Sequence, residues 1–152
     1  MPTDPPYLRK RKYRERVALL EERIDDDAGW AISGSMLDWG DSLADRADLI
    51  LFIEAPTDIR IARLRARERA KLGPRILPGG DMEQAHRHFM AWAAGYEDGS
   101  FGGRSREKHE DWLAPRTAKV LRIDGTECAE RLVAKVCSDT RIAERNPASS
   151  VV

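Results

Sequence analysis

Hydrophobic residues along this chain switch between two spacings, and the switches mark out alternating helices and strands. Tyr13, Val17, Leu20 and Ile24 recur every three or four positions, which gathers side chains on one helix face, and Gly29 is placed to end that helix. Trp30 to Ser35 then reads as a short strand running into a small-residue turn. Leu49-Ile50-Leu51-Phe52-Ile53 is an unbroken apolar run without alternation, which predicts a strand covered on both faces, as in a parallel sheet. Pro56 stops it.

Beyond that strand, Thr57 and Asp58 are suited to cap a helix carrying the arginine series Arg60 to Arg69, and Gly73-Pro74 ends it. Asp81 and Gln84 have capping-box spacing, and Ala85, Phe89, Trp92 and Tyr96 form a helical stripe. A glycine-rich loop, Gly99 to Gly103, leads to a short helix from about Ser105 to Leu113. Val120, Leu121 and Ile123 predict a further strand, Asp124-Gly125 a turn, and Thr126 the cap of a helix buried through Leu132, Val133 and Val136. The expected architecture is therefore a parallel α/β core with strands at residues 30 to 34, 49 to 54 and 119 to 123. Residues 1–137 read as one domain, without internal repeat or linker, and residues 138–152 as a mobile tail of little periodicity.

Composition narrows the function classes. With 152 residues, 41% apolar and 34% charged, the chain fits one soluble domain, and a domain of this length buries about 70% of its unfolded surface. The formal net charge is zero, which argues against nucleic acid or an acidic membrane as partner. Asp4 and the run Arg9 to Lys12 precede no apolar stretch of signal-peptide type, and the longest apolar run is far below the ~20 residues of a spanning helix. Cys128 and Cys137 lack metal or redox spacing and are expected as buried or half-buried thiols in a reducing cytoplasm. His86 and His88, two apart, point to different helix faces, so no metal ligands are assigned.

Arginines are the main candidates for chemistry. Arg60, Arg63 and Arg67 fall on one side of their predicted helix, and Arg65 and Arg69 form a second row. Like charges at this spacing cost about 0.2–0.5 kcal/mol each, so either an anion lies opposite one row or the face is solvated and paired elsewhere. Guanidinium forks match phosphate oxygens, which makes a phosphorylated ligand the anion of choice. Ser33-Gly34-Ser35, followed by Asp38 and Asp41, lies where an open α/β sheet places ligands, and there Ser33, Ser35 and Asp38 would hold a polar substrate. A plain structural turn fits the same residues. Arg104 and Arg106 follow the glycine-rich loop and Arg75 precedes Pro78-Gly79-Gly80, the makeup of a lid or of ordinary loops with capping arginines. His109 and Glu110 carry no spacing that assigns them as acid or base.

Pro2-Thr3-Asp4-Pro5-Pro6-Tyr7, Ser33-Gly34-Ser35 with Trp39-Gly40-Asp41, Arg63-Leu64-Arg65-Ala66-Arg67, Pro78-Gly79-Gly80-Asp81-Met82 and Gly103-Arg104-Ser105 together resemble the small bacterial adenylate-kinase-like P-loop proteins often labelled AAA-family ATPases. The resemblance spans roughly residues 1 to 137. It implies a three-layer parallel sheet of the P-loop nucleoside/nucleotide kinase type, binding of ATP with Mg2+, and phosphoryl transfer to a small-molecule or nucleotide acceptor. It also implies Arg63, Arg67 and Arg104 at the transferring phosphate, Arg75 and Arg106 in the lid, and Ser33, Ser35 and Asp38 facing the acceptor.

The chain departs from that pattern in two places. No Gly-x-x-x-x-Gly-Lys-Ser/Thr loop is present, since none of the lysines at 10, 12, 71, 108, 119 and 135 follows a glycine, and no aspartate closes the Trp30 strand. By the resemblance, Met1 then falls inside the domain, and the first strand, which would lie between the Trp30 and Leu49 strands, is missing. The expectation is an N-terminally truncated fold with weak or no ATP binding and exposed sheet edges prone to self-association. The alternative is a noncatalytic module that holds an anion or a partner through its arginines.

Overall fold

The computed structural model describes residues 11–25 and 28–138. The Pro2 to Tyr7 motif, and all of the expected tail except Ser138, lie outside them. Helix α1 spans Tyr13–Glu21 and α2 Asp41–Ala44; strand β1 covers Leu49–Glu54; helix α3 runs Thr57–Leu72 into a single 3-10 turn, Gly73–Ile76. Then come α4 at Glu83–Ala94, α5 at Arg106–Leu113, β2 at Lys119–Asp124 and α6 at Ala129–Cys137. β1 and β2 pair in parallel, in register from Leu49 opposite Lys119 to Glu54 opposite Asp124.

The expected three-layer parallel sheet does not form: the sheet has two strands among the described residues. Residues 30 to 34 are irregular, not a strand. A strand needs a hydrogen-bonded neighbour, and none of the described strands lies beside this segment. Gly29 and Gly34, with φ of 77° and 129°, also break its extension at both ends. The same lack of neighbours leaves β1 covered on one side only. Phe52 meets His109 of α5 with 6.1 Å between rings, whereas Leu51 and Ile53, on the opposite face, are 40% and 61% exposed.

Several element ends also shift. Helix α1 stops at Glu21, well before Gly29, and buries no residue. Helix α3 runs up to Gly73, as the sequence predicts, and that glycine takes φ 54°. Asp81 does not cap α4; its carboxylate pairs with Arg75, and the helix starts after Met82. Tyr96 falls two residues past the end of α4. Ser105, near which the sequence starts this helix, caps α5 by accepting from the Lys108 amide. Thr126 does not cap α6: Asp124 accepts from both its amide and its hydroxyl, and the helix begins at Ala129.

Helix α6 is strongly amphipathic in pattern, yet it buries no residue and Val133 is 60% exposed. Cys128 and Cys137 are exposed, against the expectation of buried or half-buried thiols, because the α6 segment that carries them lies on the surface. The buried apolar residues among those described are Leu37, Leu43, Ala44, Ile76, Ala93, Leu113 and Ile123. Leu43, with no exposed surface, is the fully enclosed one, and burial of a leucine stabilises by about 1.5–3 kcal/mol. α3, the 3-10 turn and α4 pack on one another, while β1 makes its main contacts with β2.

Candidate functional site

The turn that follows residues 30 to 34 is knitted locally. Trp39 donates from its indole N–H to the Ser35 carbonyl at 2.9 Å, and the Trp39 and Gly40 amides return to the Met36 carbonyl. Asp38 adopts φ 67°, a left-handed conformation that aspartate tolerates better than most side chains. Asp41, which opens α2, accepts from the Trp112 indole at 2.8 Å and from Arg116, and Arg116 also reaches Asp45. These contacts fasten the turn and α2 to the end of α5.

The turn brings Ser35 onto α5. Its Oγ lies 2.9 Å from His109 Nε2, across 74 positions of sequence. The other ring nitrogen, Nδ1, is 3.1 Å from the Ser105 carbonyl oxygen and 3.1 Å from the Tyr96 hydroxyl. The Ser105 carbonyl accepts the His109 amide, and Nδ1 either donates to that carbonyl as well or accepts from the Tyr96 hydroxyl. With the proton on Nδ1, Nε2 keeps a lone pair and the Ser35 hydroxyl donates to it; with the proton on Nε2, the direction reverses. Burial, and after it the Arg104 charge, hold the His109 pKa below its ordinary value, partly offset by the Ser105 hydrogen bond, Asp38 and Glu110.

The arginines divide into two sets. Arg63 donates to the Gly125 carbonyl at 2.5 Å and so ties α3 to the turn after β2. Arg75 holds Asp81 in a two-pronged pair, with contacts of 2.7 and 3.1 Å, and braces the loop between α3 and α4. Arg106 joins Glu97 past α4 to Glu54 at the end of β1, and those two carboxylates raise its pKa further above the ordinary arginine value. Arg60 and Arg106 both lie over the Tyr96 ring, at 4.7 and 5.9 Å. These four arginines are engaged by other groups of the fold. Arg67 and Arg104 face a broad groove of about 3,740 Å³ that Arg60 and Arg106 also border, and Arg67 is 65% exposed with a 3.5 Å contact to Glu68. Arg65 and Arg69 are exposed on α3 and stay outside that groove.

Of the residues singled out from sequence, Ser33, Ser35, Asp38, Arg67, Arg104 and Arg106 therefore line one groove, while Arg63 and Arg75 do not. Tyr96 and His109 join the same groove without having been assigned a role in it. Nothing in local spacing marks either one. His109 meets Ser35 only because Ser105 starts α5 where it does, and the distance in sequence hides the pairing.

Among the described residues, no three His, Cys, Asp or Glu side chains gather as ligands, and Asp41 is engaged by Trp112 and Arg116. No helix among them is long and apolar enough to cross a membrane.

No protein-family model matches the chain, and no solved structure matches it. Over 118 residues, 78% of this chain, it is 37% identical to the Bacillus subtilis (strain 168) protein named "Uncharacterized protein YqaC". The match covers 66% of that protein, so the chain spans a little under two thirds of the relative's length.

Proposed function

We propose that this chain provides the acceptor side of an ATP-dependent phosphoryl transfer to a small molecule or nucleotide. Ser33, Ser35 and Asp38 face the acceptor, and Arg67 and Arg104 face its anionic group. The observation that carries this reading is that Arg67 and Arg104 border the broad groove that also holds the serine turn, as do Arg60 and Arg106, whose guanidinium groups are already occupied by Glu97, Glu54 and the Tyr96 ring. Phosphoryl transfer asks mainly for positioning and for neutralisation of charge, which a serine turn opposite guanidinium groups supplies. The chain carries no phosphate-cradling loop with its lysine, so it binds ATP weakly by itself.

Titration calorimetry with AMP and with inorganic pyrophosphate tests the proposal. Binding at millimolar or lower concentration, weakened at least about tenfold (~1.4 kcal/mol) by the double change Arg67→Ala and Arg104→Ala, supports it. No heat at 10-fold higher concentration than that, or an unchanged affinity in the double variant, rejects it. Micromolar ATP affinity would show that another site holds the triphosphate.

A second reading, a noncatalytic module for an anionic partner, is favoured by size. Small-molecule sites measure about 300–1,000 Å³, and this groove is several times larger.

A further inference from the structure

The contact between Ser35 and His109 has the parts of a nucleophile and its base. Ser35 Oγ stands at hydrogen-bond distance from His109 Nε2, and a bond from Nδ1 to the Ser105 carbonyl is the arrangement that leaves a lone pair on Nε2 for it. Ser105 is itself only 4% exposed and is fixed by capping α5, so the orienting group is rigid. Both reacting side chains open on the groove, where a substrate has access to them. The order serine, histidine and an acceptor behind the second ring nitrogen is the arrangement that activates serine hydroxyls in unrelated folds.

We propose that Ser35 is a catalytic nucleophile and His109 its general base, acting on an activated carboxylic ester bound in the groove. In the first half, Ser35 Oγ forms a bond to the ester carbonyl carbon as its proton passes to His109 Nε2. The bond from that carbon to the alcohol oxygen then breaks, and the leaving alcohol takes the proton from Nε2. In the second half, water attacks the acyl-serine, gives one proton to Nε2, and the Ser35 oxygen leaves and recovers it. The products are a carboxylic acid and an alcohol, with no change of oxidation state. Arg104, whose charge is felt at His109, is the cation available to the oxyanion that develops on the carbonyl. This activity does not depend on the phosphate assignment of the groove.

A fluorophosphonate probe tests the nucleophile on the intact chain: Ser35 Oγ bonds to phosphorus, fluoride leaves, and His109 takes the hydroxyl proton. Intact-mass and peptide mapping are expected to find one adduct, on Ser35. Ser35→Ala abolishes it, His109→Gln slows labelling by at least about 100-fold, and Ser42→Ala, on the outer side of α2, leaves it unchanged. With p-nitrophenyl acetate the acylation rate rises with pH through a value below about 6.5 and is level by pH 7. That limb reports His109 in the field of Arg104, Asp38, Glu110 and the Tyr96 hydroxyl.

Absence of a Ser35 adduct, or labelling as fast in His109→Gln as in the parent, overturns the proposal. Should the glutamine variant fail to fold, nitrogen chemical shifts of the His109 ring in the parent decide, since a proton on Nε2 at neutral pH removes the base. Loss of AMP or pyrophosphate binding bears on the anion reading alone and leaves this test intact.

Discussion

At the residue scale, Arg63 and Arg104 separate structural arginines from groove arginines. Arg63→Ala removes the hydrogen bond to the Gly125 carbonyl and is expected to cost about 1 kcal/mol, below the range for buried charged hydrogen bonds because Arg63 is largely in solvent. Its ligand binding stays unchanged. Arg104→Ala is expected to do the reverse, weakening anion binding with little loss in urea denaturation. Equal losses of stability in the two variants would remove the distinction. His109 adds a pH dependence. Its folded-state pKa lies below the unfolded value of about 6.5, so above that both states are neutral and the residue has no effect on stability. As pH falls below 6.5 the unfolded chain takes up the proton first, and stability declines. Denaturation midpoints measured from pH 7.5 to 5 are expected to fall less in His109→Gln than in the parent. The carboxylates of Glu97 and Glu110, held below their ordinary values by Arg106 and Arg122, act in a lower window: their contribution is present above about 4.3 and lost as pH falls through the folded values.

At the element scale, the passage from α3 to α4 depends on two glycines for different reasons. Gly73 ends α3 with φ 54° and ψ −129°, a conformation that favours glycine, and a Cβ there would touch nothing within 4 Å, so Gly73→Ala carries only the backbone penalty of about 1–3 kcal/mol. Gly80 has ordinary φ, but a Cβ would stand 2.3 Å from the Arg75 carbonyl oxygen and 2.7 Å from that of Pro74. Backbone must move to admit it, and with it the Arg75 to Asp81 brace and the Met82 amide bond to the Arg75 carbonyl. Gly80→Ala is expected to destabilise more than Gly73→Ala in thermal unfolding, and the opposite order would contradict this packing. Element existence was readable here because helical spacing and the glycine stop are local. The start of α4 was not, since Asp81 has a stronger partner in Arg75 than in the first turn of its own helix.

At the scale of the whole molecule, a two-stranded sheet with Leu51 and Ile53 uncovered is an incomplete layer. Each strand keeps one edge without a strand neighbour among the described residues, and such edges pair readily with other chains. Concentration-dependent self-association follows as a prediction, and Ile53→Lys is expected to reduce it in sedimentation velocity. A monomer at all concentrations, or no change on introducing the lysine, speaks against association through β1. Because Ile53 is already 61% exposed, the lysine ammonium reaches water without being buried, and the fold tolerates it.

The strands at Leu49–Glu54 and Lys119–Asp124, the long arginine helix and the short helix near Ser105 were legible in the chain itself. Each is written in contiguous residues, as an apolar run or as a helical stretch bounded by glycine. Ser33, Ser35 and Asp38 were picked out as the carboxyl end of a strand at residues 30 to 34, and that strand does not form. What the tertiary structure alone decided is everything that depends on a distant partner. Residues 30 to 34 have the composition of a strand but no neighbour to bond, so they stay irregular. Arg63 and Arg67 share a helix row, yet one finds the Gly125 carbonyl and the other faces the groove. His109, unremarkable in sequence, becomes the partner of Ser35 because α5 carries it back across the turn. Local pattern sets backbone shape through short-range sterics and hydrogen bonds, whereas the use of a side chain is set by whichever group the fold places opposite it.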